Sequence, residues 1–450
     1  MFFQKYKKEL WLFLVTVVLY FLVLAVWSQV SSKFQIVFGD GAEYYTLAEN
    51  LLDVGKFSMN NDLQSETFRT PGYPLFIALF LFIWRNPFSV IFAQIILSGL
   101  IVILIYKIAG FVLKEKWKIW PAVLFIISPL SWRMSTVINS EVLFTFLFLL
   151  AVYFIFKYFK SSKLLWVYGS AFFLALATQV RVGNYYLFLL VAIVLTGYVL
   201  LKLKDPKKTI IVFLAFVLAW LIILFPWQYK NYKEYNSFKL SSIEDYNLYF
   251  YNARILRAVV ENKNKSEIRK EMINTALVIC NNKQLEQGFC LRSFTLSDYY
   301  NSEAKEVIFS NKLLYAKIHT LGLIPFFTDS GFREMFADFG INLGSSESLS
   351  LFLVKGDIIG IWDSVTQNLE YFLIFIFGKL YYLILTILAI CGVFLLKKSS
   401  WEYFIAMFLL VAYYALLAGP VATARYRYPV EPFIYILTIY AINKIWQKKH

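Results

Sequence analysis

Asp40 and Glu141 are carboxylates placed where chemistry at a membrane surface could use them. Asp40 stands in Phe38-Gly39-Asp40-Gly41-Ala42-Glu43-Tyr44-Tyr45, shortly after a long apolar run and just before a short amphipathic segment. A carboxylate there can cap the helix that follows. It can also take a proton from a hydroxyl as that hydroxyl attacks. The local residues leave both open. Glu141, in Asn139-Ser140-Glu141, opens a run that is apolar from Val142 on. Ser140 could cap that helix and Glu141 could favour its N-terminus electrostatically. Yet a carboxylate beside lipid is costly to bury, which points to function.

Four arginines accompany the acids. Arg69 precedes Thr70-Pro71-Gly72-Tyr73-Pro74, whose prolines and glycine fix a rigid turn. Arg181 lies in Thr178-Gln179-Val180-Arg181-Val182-Gly183-Asn184, and Arg425 and Arg427 lie in Ala424-Arg425-Tyr426-Arg427-Tyr428-Pro429. An arginine at a membrane surface can snorkel to headgroups. It can also hold a phosphate with paired N–H donors. Arg425 and Arg427 fall on the side that basic residues avoid, so they call for an anion, and a lipid phosphate is the nearest. Acids and phosphate-binding groups at lipid level suggest chemistry on a phospho-lipid. Sequence order alone does not show that these loops converge.

The elements that must position them are membrane helices. Of 450 residues 59% are hydrophobic and only 16% charged, with mean hydropathy +0.60. Soluble domains run at roughly 45–50% apolar and about 25% charged, so a water-soluble fold is excluded. The net charge of +15 sits mainly in short tracts between apolar runs. That is the pattern of cytoplasmic loops, and it speaks against a nucleic-acid partner. About ten spans are predicted: 10–27, 88–113, 119–132, 141–159, 164–180, 185–203, 209–225, 369–396, 401–417 and 429–445. Residues 42–54 are predicted as a short amphipathic helix, and 75–84 and 313–327 as interfacial stretches. The chain divides into a membrane module over 1–225 with a first outer loop at 29–87, an irregular or interfacial outer segment at 226–368, and further spans over 369–450. Both termini fall on the cytoplasmic side, and Asp40, Glu141 and the arginines on the outer one.

Three cysteines are present. Cys391 lies in an apolar run. Cys280 and Cys290 lie in the outer polar segment, where a disulfide or two free thiols are equally open. The two histidines are His319, in an interfacial stretch, and His450.

At these residues the chain resembles polytopic glycosyltransferases of the GT-C fold, most of all glycosyltransferase family 39, with its protein O-mannosyltransferases and lipid A aminoarabinose transferases. The likeness runs through Asp40 and Tyr44, Ala48 to Leu52, Gly55 to Ser58, Arg69 to Pro74, Ser140-Glu141, Arg181, Pro226-Trp227, Asn231-Tyr232 and Arg425 to Pro429. It implies an all-α membrane enzyme that inverts the anomeric centre. The donor is a sugar on polyprenyl or dolichyl phosphate. By resemblance Asp40 is the catalytic base and Glu141 the second acid. Arg69, Arg181, Arg425 and Arg427 hold the donor phosphate, and Glu43, Tyr44 and Tyr73 line the substrate. Relatives with two adjacent first-loop acids contrast with Asp40-Gly41, where the next acid is Glu43. No metal ligand or cofactor is assigned, and a divalent cation is left open. Without a large carboxy-terminal domain, a single transferred sugar is expected. The acceptor is a glycan, lipid or protein, and the setting is a prokaryotic cytoplasmic membrane. The alternatives are a polysaccharide polymerase or ligase, and a lipid flippase or transporter. Transporters show repeats with mid-membrane polar groups, and no clear repeat is found.

Overall fold

The computed structural model describes residues 6–30, 34–59, 65–341, 359, 362–363, 369–395 and 401–449. Among them the fold is built from helices, without strands. Seven helical stretches are long and apolar enough to cross a membrane: Lys7–Val30, Pro87–Ala109, Glu141–Ser161, Val182–Leu203, Pro206–Tyr235, Leu373–Phe394 and Trp401–Val421. The chain is an integral membrane protein. The other three expected spans take different forms. Leu164–Val180 is a single apolar helix of 17 residues. Glu431–Lys449 is a helix of 19 residues whose end carries lysines. The stretch 119–132 is broken into Trp120–Ile126 and the start of Pro129–Thr136. Proline cannot donate and its ring obstructs the preceding turn, and Ser128 before it is extended.

The site-bearing elements are α1 (Lys7–Val30), α2 (Asp40–Asp53), α3 (Gly72–Ile83), α4 (Pro87–Ala109), α5 (Trp120–Ile126), α6 (Pro129–Thr136), α7 (Glu141–Ser161), α8 (Leu164–Val180), α9 (Tyr185–Tyr198), α10 (Pro206–Ala219) and α11 (Phe225–Tyr235). α1 buries Leu12, Thr16, Tyr20 and Leu24, a stripe at helical spacing, and leaves Trp11, Leu14, Val18 and Leu22 outward, as suits lipid. α3 is too short to cross a bilayer. It buries Tyr73, Ile77 and Leu81 and exposes Leu75, Leu79 and Phe82, so it has an apolar outer face as well.

The segment 226–368, expected on the outer side, is more regular than expected in its described residues. It forms α12 (Ile243–Asn247), α13 (Arg254–Val260), α14 (Lys265–Asn282), α15 (Gln287–Arg292), α16 (Ser297–Ser310), α17 (Lys312–Thr328) and α18 (Phe332–Asp338). A small core of Tyr249, Phe250, Ile268, Met272, Leu296 and Tyr300 holds its middle. Cys280 and Cys290 are joined by a disulfide within that core. The remaining expected outer residues, 342–358, 360–361 and 364–368, lie outside the described residues. The chain returns through α19 (Leu369–Phe394), α20 (Trp401–Ala418), the short α21 (Ala424–Arg427) and α22 (Glu431–Lys449). His319 on α17 packs against Gly419 and shares a hydrogen bond of 2.8 Å with the Leu416 carbonyl, a structural contact between α17 and α20.

Candidate functional site

Two close approaches bring the first loop against the others. A Cβ on Gly41 would lie 2.1 Å from the Ile138 carbonyl oxygen, and one on Gly72 would lie 2.5 Å from that of Gln179. Only glycine permits backbones this near. The start of α2 is thus seated on the strap before α7, and the Arg69–Pro74 turn on the end of α8. These seats carry Asp40 to Glu141 and Arg69 towards Arg181.

The result is one alternating chain of acids and arginines. Arg292 grips Glu43 with both ends of its guanidinium, at 2.9 and 2.6 Å. Arg69 also donates to Glu43, from Nε at 2.8 Å, and reaches Asp40 at 2.6 Å. Arg425 lies 2.9 Å from the other Asp40 oxygen. Arg425 and Arg181 both donate to the same Glu141 oxygen. Each carboxylate therefore bridges two guanidiniums. With four arginines and three acids the chain carries one excess positive charge, suited to an anion.

Neither acid acts as a cap. Gly39 holds the N-cap position of α2, and no side-chain cap bond forms there. Ser140 likewise makes no cap bond for α7. Its hydroxyl instead accepts from Arg181 at 3.4 Å. Burial alone would raise the proton affinity of Asp40, but Arg69 and Arg425 outweigh it and hold the carboxyl well below the usual range. Glu43 is lowered in the same way, with Arg292 and Arg69 offsetting burial.

Exposure separates the roles. The Asp40 side chain is 35% exposed and those of Arg425 and Arg181 25%, whereas Glu141 is 0% exposed. Glu141 underlies the arginines, so an incoming molecule meets the guanidiniums first. Tyr44 lies beneath Arg69, with the guanidinium 4.8 Å from its ring centre. Tyr73 is fully buried, packs edge-on to Tyr44 at 5.0 Å and donates to Gln94. It supports the site from below and does not face it.

Arg427 is not part of this group. It is fully buried, donates at 2.7 Å to each of the Phe326 and Asp329 carbonyls, and lies 3.9 Å over Tyr382. Arg427, expected at the donor phosphate, is instead placed with its guanidinium buried on backbone carbonyls and beside Glu431. Arg292 is the member that sequence reading missed. It sits in the polar segment after α11 among other charged residues, with nothing in its neighbourhood to mark it. Arg133 is a second engaged arginine, paired with Asp338 and Glu334 of α18. Among the described residues, no three His, Cys, Asp or Glu side chains gather as a metal donor set.

Residues 69–229 match the family model of dolichyl-phosphate-mannose-protein mannosyltransferases. The matched stretch begins at Arg69 and includes Glu141 and Arg181. That stretch is about a third of the chain. Two solved structures of ArnT from Cupriavidus metallidurans are similar to the chain. The one bound to undecaprenyl phosphate has 12% identity and a TM-score of 0.41, covering 96% of this chain and 78% of the other. The apo form has 13% identity and a TM-score of 0.38, covering 96% and 77%. No curated protein matches.

Proposed function

We propose that the protein is an inverting glycosyltransferase that moves one sugar from a polyprenyl or dolichyl phosphate to an acceptor hydroxyl on the extracytoplasmic side. The observation that carries this reading is Asp40 bridged by Arg69 and Arg425, with Arg425 reaching on to Glu141 and Arg181. A candidate base and a pair of phosphate-holding groups thus share one half-buried spot. The family description of the 69–229 match supports a sugar on a lipid phosphate as donor.

Arg425 and Arg181 take the donor phosphate, and Glu141 holds them side by side from beneath. Asp40 accepts the proton of the acceptor hydroxyl. The oxygen bonds to the anomeric carbon from the face opposite the phosphate, and configuration inverts. The carbon–oxygen bond to phosphate breaks, and its electron pair stays on the phosphate oxygen. The two guanidiniums offset the added charge of that leaving group. Asp40 is a weak base while both arginines hold it. A donor phosphate competes for Arg425, leaves Asp40 with one cation, and raises its proton affinity when the hydroxyl arrives. Glu43 and Tyr44 fix Arg69 and so keep Asp40 aimed.

The extracytoplasmic side is supported by basic tracts such as Lys114 to Lys118, Lys202 to Lys208 and Lys444 to Lys449, all at the ends of helices away from Asp40 by chain order. The test is sugar release or transfer from a panel of polyprenyl-phosphate hexoses by purified protein. Wild type should consume at least one donor, and Asp40→Asn, folded, should lose about 10²-fold or more of that rate. Full activity in Asp40→Asn removes Asp40 as base, and no donor turnover by wild type removes the donor class.

A further inference from the structure

Away from the acid–arginine chain, α7, α9 and α20 enclose a crevice of about 690 Å³. Its walls are almost all hydrocarbon, with Val152, Phe156, Val194, Ile405 and Leu409 among them. From Leu187 to Lys202 it follows α9 and the turn after it, about 22 Å at 1.5 Å per residue. One leaflet of the hydrocarbon core is about 15 Å thick, so the crevice is long enough for a lipid chain. Towards the candidate site it is shut. The Tyr413 hydroxyl donates to the Gly183 carbonyl at 2.6 Å, and Tyr414 to Asn184 at 3.2 Å, tying α20 to the turn that follows Arg181. At the far end Lys202 pairs with Glu402 and lies near the rings of Trp401 and Tyr198.

One wall is locally costly in a way that protein packing does not explain. Gly197 lies inside α9, where glycine loosens a helix relative to alanine. A Cβ at this position would meet nothing within 4 Å. Directly after it, the helix widens into a π-helical turn, Val199–Leu203, a form that is rare and often marks functional sites. Gly197, with Leu201 and Lys202 of the π turn, lines the crevice.

We propose that this crevice seats an acyl chain of an anionic phospholipid from the leaflet opposite the candidate site. Apolar walls within the hydrocarbon zone match a hydrocarbon chain. The mouth selects the headgroup, because Lys157, Lys160, Lys163, Lys202 and Lys204 stand at this end against only Glu402 and Asp205, which pair with Lys202 and Lys208, and clustered lysines at a membrane surface favour anionic lipid. The closure at Tyr413 and Tyr414 separates this lipid from a donor held at Arg181.

The test is native mass spectrometry with lipid extraction on the full chain, purified from mixed micelles of phosphatidylglycerol and phosphatidylethanolamine. Wild type should retain about one phospholipid per chain, with phosphatidylglycerol preferred. Gly197→Leu and, from the opposite wall, Ala406→Phe should each cut retention about tenfold while elution volume and helical content hold. Lys204→Gln should weaken the preference for phosphatidylglycerol without emptying the crevice, and Asp40→Asn should retain lipid as wild type does. Unchanged retention in both filled variants would mean ordinary annular lipid and sinks the proposal. So would a retained polyprenyl phosphate in place of phospholipid. A change of oligomeric state in Gly197→Leu with lipid unchanged would assign the crevice to a second copy of the chain, and also overturns it.

Discussion

The Nη1 atom of Arg425 lies 2.9 Å from an oxygen of Asp40, joining the loop after α1 to the turn before α22. That ion pair closes the site across nearly the whole chain, and it sets how Asp40 responds to pH. With Arg69 on its other oxygen, Asp40 binds a proton more weakly in the folded protein than in the unfolded chain. Its stabilising contribution is therefore fully present above the ordinary carboxylate range and is lost only as pH falls through the lowered value. A base role requires the ionised form. In kcat/KM, which reports the free enzyme, the acid limb should lie below the ordinary value of about 4. In kcat, with phosphate drawing Arg425 away, it should move up. Equal limbs in the two profiles would contradict the exchange of Arg425 between Asp40 and donor.

Glu141→Gln should be costlier to the fold than Asp40→Asn. Glu141 is fully buried and joins two arginines. Removing its charge leaves both guanidiniums without their shared partner, a loss of about 3–5 kcal/mol for a broken buried pair. Thermal unfolding in detergent should fall by several degrees, and KM for the donor should rise as Arg181 and Arg425 separate. A variant with wild-type melting and donor KM would show that the two arginines are placed by other contacts.

Arg425 and Arg427 should part company on mutation. Arg425→Ala removes a group facing the site and should cost about 10²-fold in kcat/KM, of the order of a lost charge-stabilising contact, with modest change in melting. Arg427→Ala removes two hydrogen bonds to the end of α17 and its flank and should lower melting, leaving the donor KM of the folded fraction near wild type. The reverse pattern would return the phosphate-binding role to Arg427.

That distinction shows what the sequence could and could not make legible. Asp40, Arg69, Glu141, Arg181 and Arg425 each stand near the end of an apolar run, and all five converge. Arg427 shares that setting but lies two residues from Arg425 on a short helix, and side chains two apart do not face the same way. Which of the two looks outward depends on how α21 packs against α17 and α19, and that is a tertiary fact. Arg292 carries no such mark in its polar stretch. The outer segment held a signal that its polarity obscured: Ile268, Met272, Ala276 and Cys280 recur every four residues and are buried on one face of α14. The break at Pro129 was visible as a proline inside a run too short to cross as one helix.

Arg292→Ala should lower kcat/KM about tenfold, roughly 1.4 kcal/mol. Glu43 then turns fully to Arg69 and draws it from Asp40. Arg292→Lys, which offers a single point charge in place of a paired fork, should recover only part of the loss. Melting should change little, since Ser241 and Ser242 still bind the Phe68 and Thr67 carbonyls and keep the outer segment docked. An unchanged kcat/KM in Arg292→Ala would reduce the Glu43 grip to a tether.

The side of the membrane on which this site works can be read without any substrate. Lys305 on α16 is exposed and belongs to the outer segment, and Lys116 is exposed in the basic turn after α4. In a Cys391→Ala background, Lys305→Cys should react with a membrane-impermeant maleimide in intact cells. Lys116→Cys should react only after permeabilisation. The argument rests on charge: the turn after α4 holds Lys114, Lys116 and Lys118, and basic loops of this length stay on the cytoplasmic side. Asp40 lies between α1 and α4, so one crossing of α4 separates it from that turn. Labelling of Lys116→Cys in intact cells, with Lys305→Cys protected, would invert the topology and place Asp40, and any sugar transfer it performs, on the cytoplasmic face.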